Sequence, residues 1–334
     1  MPHERAVRIL RADDVRASLD MAACIKACDR AFASYSAGDA EAPGVIHLNV
    51  PERSGEIHVK AGHLRGSPYY AVKVASGFPR NSELGFAPSD GMVAVFDAET
   101  GEPAAFLLDH GYITDLRTGA AGGVAASHLA PEEVRTVAVI GTGAQARYQL
   151  DALAIVRPGT TTVRVWGRDP EHAAACVQDL RGRPGLPGRC TFEVSASVEE
   201  AVDGADVVLT CTASRISLVR GEWLKAGAHV TAVGSDAADK QELDPSVLSR
   251  ADLVVVDSRT QCAQIGELHH ALVAGAIDEQ EAVELGQICM RAHPGRTSPD
   301  QLTVCDLTGV GVQDVAAANV VMANAGERGD VVTL

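Results

Sequence analysis

The sequence predicts an α/β protein in which a Rossmann, doubly wound parallel sheet is joined to a β-rich α+β domain. Three observations carry that prediction. Residues 136–140 read as a buried strand that runs into a glycine turn, Gly141-Thr-Gly143, and then into an amphipathic stretch. Apolar strand-like runs then alternate with helical ones to about residue 257, the rhythm of a parallel sheet. About 135 residues precede the turn, and their pattern is short and β-like.

Taken in order, residues 14–37 repeat apolar side chains at helical spacing (Val15, Leu19, Ile25, Ala31, Phe32) and stop at Gly38, which suits a C-cap. A helix is therefore expected to open the chain. Runs at 45–50, 57–60, 69–74, 91–96 and 103–108 alternate or are wholly apolar between Pro, Gly, Ser and Asp clusters, as strands do. The small-residue stretch 118–127 reads as a helix that bridges two domains. Strands follow at 136–140, 162–166, 190–194, 206–212, 228–233 and 253–257, with a helix over 144–156 and a capping-box start at Ser197 and Glu200. Residues 181–188, rich in Pro and Gly, read as a loop. A last strand at 301–307 precedes a helix at 312–325 that returns to the first domain. The domains are thus 1–117 with 310–334, and 118–309.

The glycine turn has a physical reading. Gly141 permits the tight turn, Gly143 lets backbone approach a pyrophosphate, and Ala146 is small enough for the helix to pack close to its strand. Ala144 and Gln145 then stand at a helix N-terminus, which favours phosphate. Glycine turns end many strands without a ligand, so the weight lies in the context, a βαβ unit with its second strand at 162–166.

Composition bounds the function. The chain has 334 residues, 46% of them hydrophobic, and a net charge of -15. A large core is available, and no basic stripe exists to displace counterions from nucleic acid. No apolar run is long enough to span a bilayer, and the first five residues lack the apolar core of a signal peptide, so a cytoplasmic enzyme is expected. Eight cysteines sit mostly in apolar segments, which suits reduced buried thiols. Cys24 and Cys28 share a helix face by spacing, and without a matching Cys or His pair they read as core. His269 and His270 read as surface or interface. No metal is assigned.

Six ordered segments resemble the ornithine cyclodeaminase/mu-crystallin family: Lys73 with Phe78-Pro-Arg-Asn81, Asp97-Ala-Glu-Thr-Gly101, Thr114-Asp-Leu-Arg-Thr118, Gly141–Gln145, Ala232-Val-Gly-Ser-Asp236 with Lys240-Gln-Glu-Leu243, and Asp306-Leu-Thr-Gly309. The resemblance spans the chain from about residue 40. It implies NAD(P)-dependent chemistry on α-amino or α-imino acids, a first domain that binds substrate and forms a homodimer, and a second that binds the dinucleotide.

Several residues acquire expected roles. An unpaired ammonium at Lys73, in an apolar strand, would be costly to bury, so it needs an anion unless it faces solvent. The resemblance makes that anion the substrate carboxylate, shared with Arg117, whose alternative is an interdomain salt bridge. Lys60 stands where relatives more often carry Met, and could hold a second carboxylate or a polar substrate group, or be a surface lysine. His47 stands where relatives place a binding Arg, with Arg53 as a possible substitute. Thr308 is implied at the substrate. Asp236 follows a strand end, the sheet edge where ligands bind, and the resemblance makes it a proton-handling carboxylate. An exposed loop Asp is the bland alternative.

For the cofactor, Gly167 occupies the strand end where NAD enzymes place an acid, Arg168 could pair a 2′-phosphate, and Asp169 comes two positions late. NADP is favoured over NAD. Thr212, Val233, Lys240 and Leu307 are implied at the cofactor by resemblance. The expected activity is reduction of an α-imino acid to an L-amino acid by hydride transfer. The alternatives are a cyclodeaminase that recycles bound NAD, and a protein that holds NADPH and a small ligand without turnover.

Overall fold

The computed structural model describes residues 6–333 except 184, 187 and 189. The first five residues, and part of the predicted loop at 181–188, lie outside them. In chain order the strands and helices are β1 (Ala6–Arg11), α1 (Ala12–Ser18), α2 (Met21–Ser36), β2 (Ala40–Glu41), β3 (Ile46–Val50), β4 (Gly55–Leu64), β5 (Tyr69–Gly77), β6 (Ser89–Asp97), β7 (Pro103–Leu108) and α3 (Tyr112–Leu129). Then come β8 (Thr136–Ile140), α4 (Ala144–Val156), β9 (Thr162–Trp166), α5 (Pro170–Arg181), β10 (Thr191–Val194), α6 (Val198–Val202), β11 (Val207–Thr210) and β12 (Arg215–Val219). The remainder are β13 (His229–Ala232), β14 (Gln241–Leu243), α7 (Pro245–Arg250), β15 (Leu253–Val256), α8 (Arg259–Cys262), α9 (Glu267–Val273), β16 (Val283–Glu284), α10 (Leu285–Cys289), β17 (Thr303–Asp306), α11 (Gly311–Asn324) and β18 (Asp330–Thr333). They form two compact units, Met1–Arg117 with Val310–Leu334, and Thr118–Gly309. Among the described residues no helix is long and apolar enough to cross a membrane.

The first unit is α+β. Its eight-stranded sheet runs β18-β1-β7-β6-β5-β4-β2, with β3 also paired to β4. Among its described strands only β1 and β7 are paired in parallel. A strand rather than a helix is first among the described residues, and the single helix expected at 14–37 is two. The break has a local cause: Leu19 is extended, and the Asp20 side chain accepts from the Ala23 N–H to start α2 anew. α2 buries Cys24, Ile25, Cys28, Ala31 and Phe32. Each large side chain so buried contributes about 1.5–3 kcal/mol.

The second unit is a parallel eight-stranded sheet, β10-β9-β8-β11-β13-β17-β15-β16, with a separate pair, β12 and β14. All its pairings are parallel. The strand order reverses at β8 and β11, the switch point at which such sheets bind ligands beyond their carboxyl ends. The Ser197 side chain caps α6 through the Glu200 N–H at 3.1 Å, while Glu200 reaches back to Ala196 N at 2.7 Å.

Candidate functional site

In the second unit, β8 is followed by Gly141, whose φ of +129° suits glycine and whose absent Cβ would lie 2.7 Å from the Cys211 carbonyl oxygen. Gly143 is the N-cap of α4 and gives it no side-chain cap, and a Cβ there would meet nothing within 4 Å. Ala144 is exposed, Gln145 half-buried and Ala146 buried. A pyrophosphate fits this cradle, because the helix N-terminus faces open space with no side chain in the way. Arg147 braces the turn by donating to the Thr142 carbonyl at 2.7 Å and the Gly143 carbonyl at 3.0 Å, a role the motif did not suggest.

At the end of β9, a Cβ on Gly167 would meet the Thr142 methyl at 2.5 Å, so an acid is disfavoured there for a steric reason. Arg168 is exposed. Asp169 caps α5, accepting from the N–H of Glu171 at 2.8 Å and of His172 at 3.4 Å, and these bonds hold its carboxyl below the usual range.

Beyond β11 and β13 lies a carboxylate the sequence reading passed over. Glu242 is fully buried and accepts from Thr210 Oγ1 at 2.8 Å, Thr212 N at 2.5 Å and Gly234 N at 2.8 Å. Burial pushes its carboxyl up while these bonds pull it down. Glu267 in turn accepts from the N–H groups of Glu242 and Leu243. Its own carboxyl is driven well above the usual range by burial and by the charges of Asp306 and Glu242. Together the two acids fix the loops that follow two neighbouring strands. For Glu242 the signal was Lys240-Gln-Glu-Leu243, a charged run within which β14 places the glutamate.

Asp236 follows β13 and is half-buried, with Oδ1 accepting from Lys240 Nζ at 2.7 Å. The Lys240 carbonyl accepts from His270 Nε2 at 2.7 Å, and His269 Nδ1 lies 3.1 Å from the Ala263 carbonyl. The histidine pair is therefore half-buried bracing rather than open surface. Val233 N donates to Thr210 O, and Leu307 N to Ala232 O. The Thr308 hydroxyl is turned to Asp257 Oδ1 at 3.0 Å and accepts from Gln261, so its side chain is committed to the fold.

In the first unit, Lys60 on β4 lies directly opposite Lys73 on β5. Directly opposed residues project from the same face. α11 lies against β4 because Gly311 has no Cβ to strike the Ala61 carbonyl. That packing brings Asp314, in the first turn of α11, to Lys73: its Oδ1 accepts from Lys73 Nζ at 2.8 Å, and Arg117 Nε stands 3.1 Å from the same oxygen. Arg117 Nη1 donates to Gln313 Oε1 at 3.1 Å. Lys73 is 2% exposed, Lys60 7%, Arg117 6% and Asp314 2%. Burial, then the Arg117 charge, pushes Lys73 down to about 7. Burial opposes ionisation of Asp314, but Lys73, Arg117 and Lys60 hold it below the usual range.

Two departures from expectation follow. Arg117 lies inside α3 rather than before a helix at 118–127, because Asp109 caps the helix early through Ile113 N at 2.6 Å. Lys60 is not a surface lysine. His47 is exposed opposite His58, their rings 4.6 Å apart, and Arg53 lies on an exposed turn. Asp314 and Gln313 were missed, although a Gln-Asp pair in the first turn of a largely apolar helix was the available signal.

The chain matches the ornithine cyclodeaminase/mu-crystallin family over residues 5–329. An uncharacterized cyclodeaminase of Sinorhizobium fredii is 42% identical over 313 residues, 93% of this chain and 92% of that protein. A solved archaeal alanine dehydrogenase dimer with bound NAD is similar at a TM-score of 0.88 and 32% identity, covering 98% of this chain and 99% of that one. The iminosuccinate reductase of Paracoccus denitrificans in complex with NAD+ is similar at a TM-score of 0.88 and 30% identity, covering 99% of each chain.

Proposed function

The chain belongs to the ornithine cyclodeaminase/mu-crystallin family, and on that premise we propose that it is an NAD(P)H-dependent oxidoreductase that reduces an α-imino acid to an L-amino acid. The observation that carries this reading is the buried clamp of Lys73 and Arg117, both held to one oxygen of Asp314. Asp314 holds the two cations side by side, and a pair of buried cations fixed in this way suits a substrate α-carboxylate.

The dinucleotide, when bound, supplies the hydride. Gly141, Gly143, Ala144 and Gln145 would receive its pyrophosphate. Thr212 and Val233, at loops anchored through Glu242 and Thr210, would border its nicotinamide. Lys240 is then less a cofactor contact than the partner that orients Asp236. Lys73 and Arg117 hold the α-carboxylate and so orient the neighbouring carbon. Asp236 is assigned to the imine nitrogen, where a carboxylate stabilises the protonated imine, the stronger electrophile. NADP is favoured over NAD because Gly167 excludes a ribose-reading acid, Asp169 is committed as a cap, and Arg168 is exposed beside them. The solved relatives above carry NAD, so the NADP reading rests on this chain's own residues alone. A homodimer is proposed from the exposed apolar side chains of β3, Ile46 at 58% and Leu48 at 52%, together with the dimeric alanine dehydrogenase.

The test follows nicotinamide absorbance with NADPH or NADH and pyruvate plus ammonia, oxaloacetate plus ammonia, pyrroline-2-carboxylate or piperideine-2-carboxylate. Consumption equal to product on one of them supports the reductase. Ammonia release from ornithine with NAD+ and no net absorbance change would replace it with the cyclodeaminase reading that the Sinorhizobium relative's name suggests.

A further inference from the structure

We propose that Gln313 is a positioning residue of the clamp, whose neutral amide fixes the Arg117 guanidinium to the start of α11 and leaves its charge free for the substrate carboxylate. This rests on the reductase reading and adds to it a residue that acts through Arg117.

Gln313 is fully buried in the first turn of α11, and its Oε1 accepts from Val310 N at 3.0 Å and from Arg117 Nη1 at 3.1 Å. One atom therefore ties the guanidinium to the backbone of the helix start. Arg117 Nε lies against Asp314 as an ion pair but makes no hydrogen bond among the described residues, so Gln313 supplies the directional contact. The N-cap, Val310, gives the helix no side-chain bond. Of the usual reciprocal cap, only the half that also reaches Arg117 is present.

Charge accounts for the residue type. A glutamate at this position would make the same two bonds, gain from the helix dipole and strengthen the contact to Arg117. It would also set a second carboxylate behind the clamp. With Lys73 protonated, Lys73, Arg117 and Asp314 together carry one positive charge, and a glutamate would cancel it before a substrate arrived. The chain keeps the amide although its Nε2 is buried without a hydrogen-bond partner among the described residues, an arrangement unfavourable for stability alone. The charges that act on Lys73 are those of Arg117, Asp314 and Lys60, and Asp109 in turn feels Lys73. Cys28 of α2 lies in the field of Arg117 and Asp314, but a hydrogen bond to Cys24 and burial drive its thiol well above the usual range, so it stays uncharged.

Isothermal calorimetry on the full chain saturated with NADPH measures binding of pyruvate, without ammonia, as the carboxylate ligand. Gln313→Glu keeps the cap, so the denaturation midpoint and the NADPH affinity should hold while pyruvate binds about tenfold or more weakly. Cancelling the Arg117 charge should also let Lys73 keep its proton longer, so the pH above which affinity falls moves up from about 7. Undiminished affinity, or an unmoved pH dependence, would make Gln313 a helix cap and no more. An unmodified protein that binds no pyruvate overturns the proposal as well. Should the glutamate variant fail to fold, Gln313→Leu is measured alone and together with Arg117→Lys. It should weaken pyruvate several-fold beside the native arginine and have little further effect in the Arg117→Lys background. Equal losses in both backgrounds overturn the positioning role. Turnover is read separately. The expected losses with no imine reduced sink the reductase and leave Gln313 in its role, whereas imine reduction with undiminished binding by Gln313→Glu sinks that role and leaves the reductase.

Discussion

The buried ammonium of Lys73 makes carboxylate binding depend on pH in a way that can be worked out beforehand. Burial and the Arg117 charge bring this lysine from an ordinary 10.5 to about 7. An anionic ligand binds the protonated form. Below pH 7 Lys73 already carries its proton, so affinity should be flat. Above pH 7 it should fall about tenfold per pH unit, until the ligand-bound lysine itself loses its proton. A close opposite charge in a partly desolvated site is worth on the order of 2–3 kcal/mol, which limits the whole fall to roughly 30–150-fold. The assay is calorimetric titration with succinate, whose charge does not change above pH 7, at pH 6, 7, 8 and 9 in two buffers of different ionisation enthalpy. Roughly one proton should be taken up per ligand at pH 8. Constant affinity across that range with no proton uptake would refute Lys73 as the titrating carboxylate receptor. Stability should show the same group with its own sign. Between about 7 and 10.5 the unfolded chain keeps the proton that the folded chain has released, so this lysine's contribution rises with pH. The full span corresponds to roughly 5 kcal/mol, an upper figure that neighbouring titrations will reduce.

Glu242→Gln should raise the Michaelis constant for the dinucleotide several-fold and lower stability by about 2–4 kcal/mol, because an amide cannot accept all three bonds now made to the carboxylate. Cofactor titration and chemical denaturation check it, and a silent substitution would remove Glu242 from the support of the strand-end loops. Arg168→Ala should weaken NADPH at least tenfold more than NADH in fluorescence titration; equal effects would dissociate this residue from the 2′-phosphate. Gly311→Ala should destabilise by about 1–3 kcal/mol despite alanine's better helix propensity, because its methyl would strike the Ala61 carbonyl. Denaturant melts read that cost, and an unchanged midpoint would mean that α11 can move off β4.

The pieces legible in the chain are those written in neighbouring residues. Strand β8, the turn at Gly141 and helix α4 each follow from short-range patterning, and the alternation of β8, β9, β11, β13 and β15 with helices is enough to specify a parallel sheet. The strand at Ala6–Arg11 and β12 escaped because Arg8 and Ser217 interrupt their apolar runs, and β14 because it has only three residues. The restart of the helix at Asp20 was in plain view as a capping residue, but apolar periodicity running through it hid the break.

By itself the sequence determined the α/β class, the glycine turn and the presence of lysines at positions 60 and 73. It could not determine that these lysines face each other, since strand register is a pairing between segments and a slip of one residue would turn either to the opposite face. Nor could it bring Asp314 to Lys73, 241 residues earlier. That meeting depends on α11 packing on β4 at Gly311, and Glu242 likewise becomes an anchor only where β11, β13 and β14 converge. Tertiary structure decides such contacts because the free energy that makes a buried charge tolerable comes from partners distant in the chain.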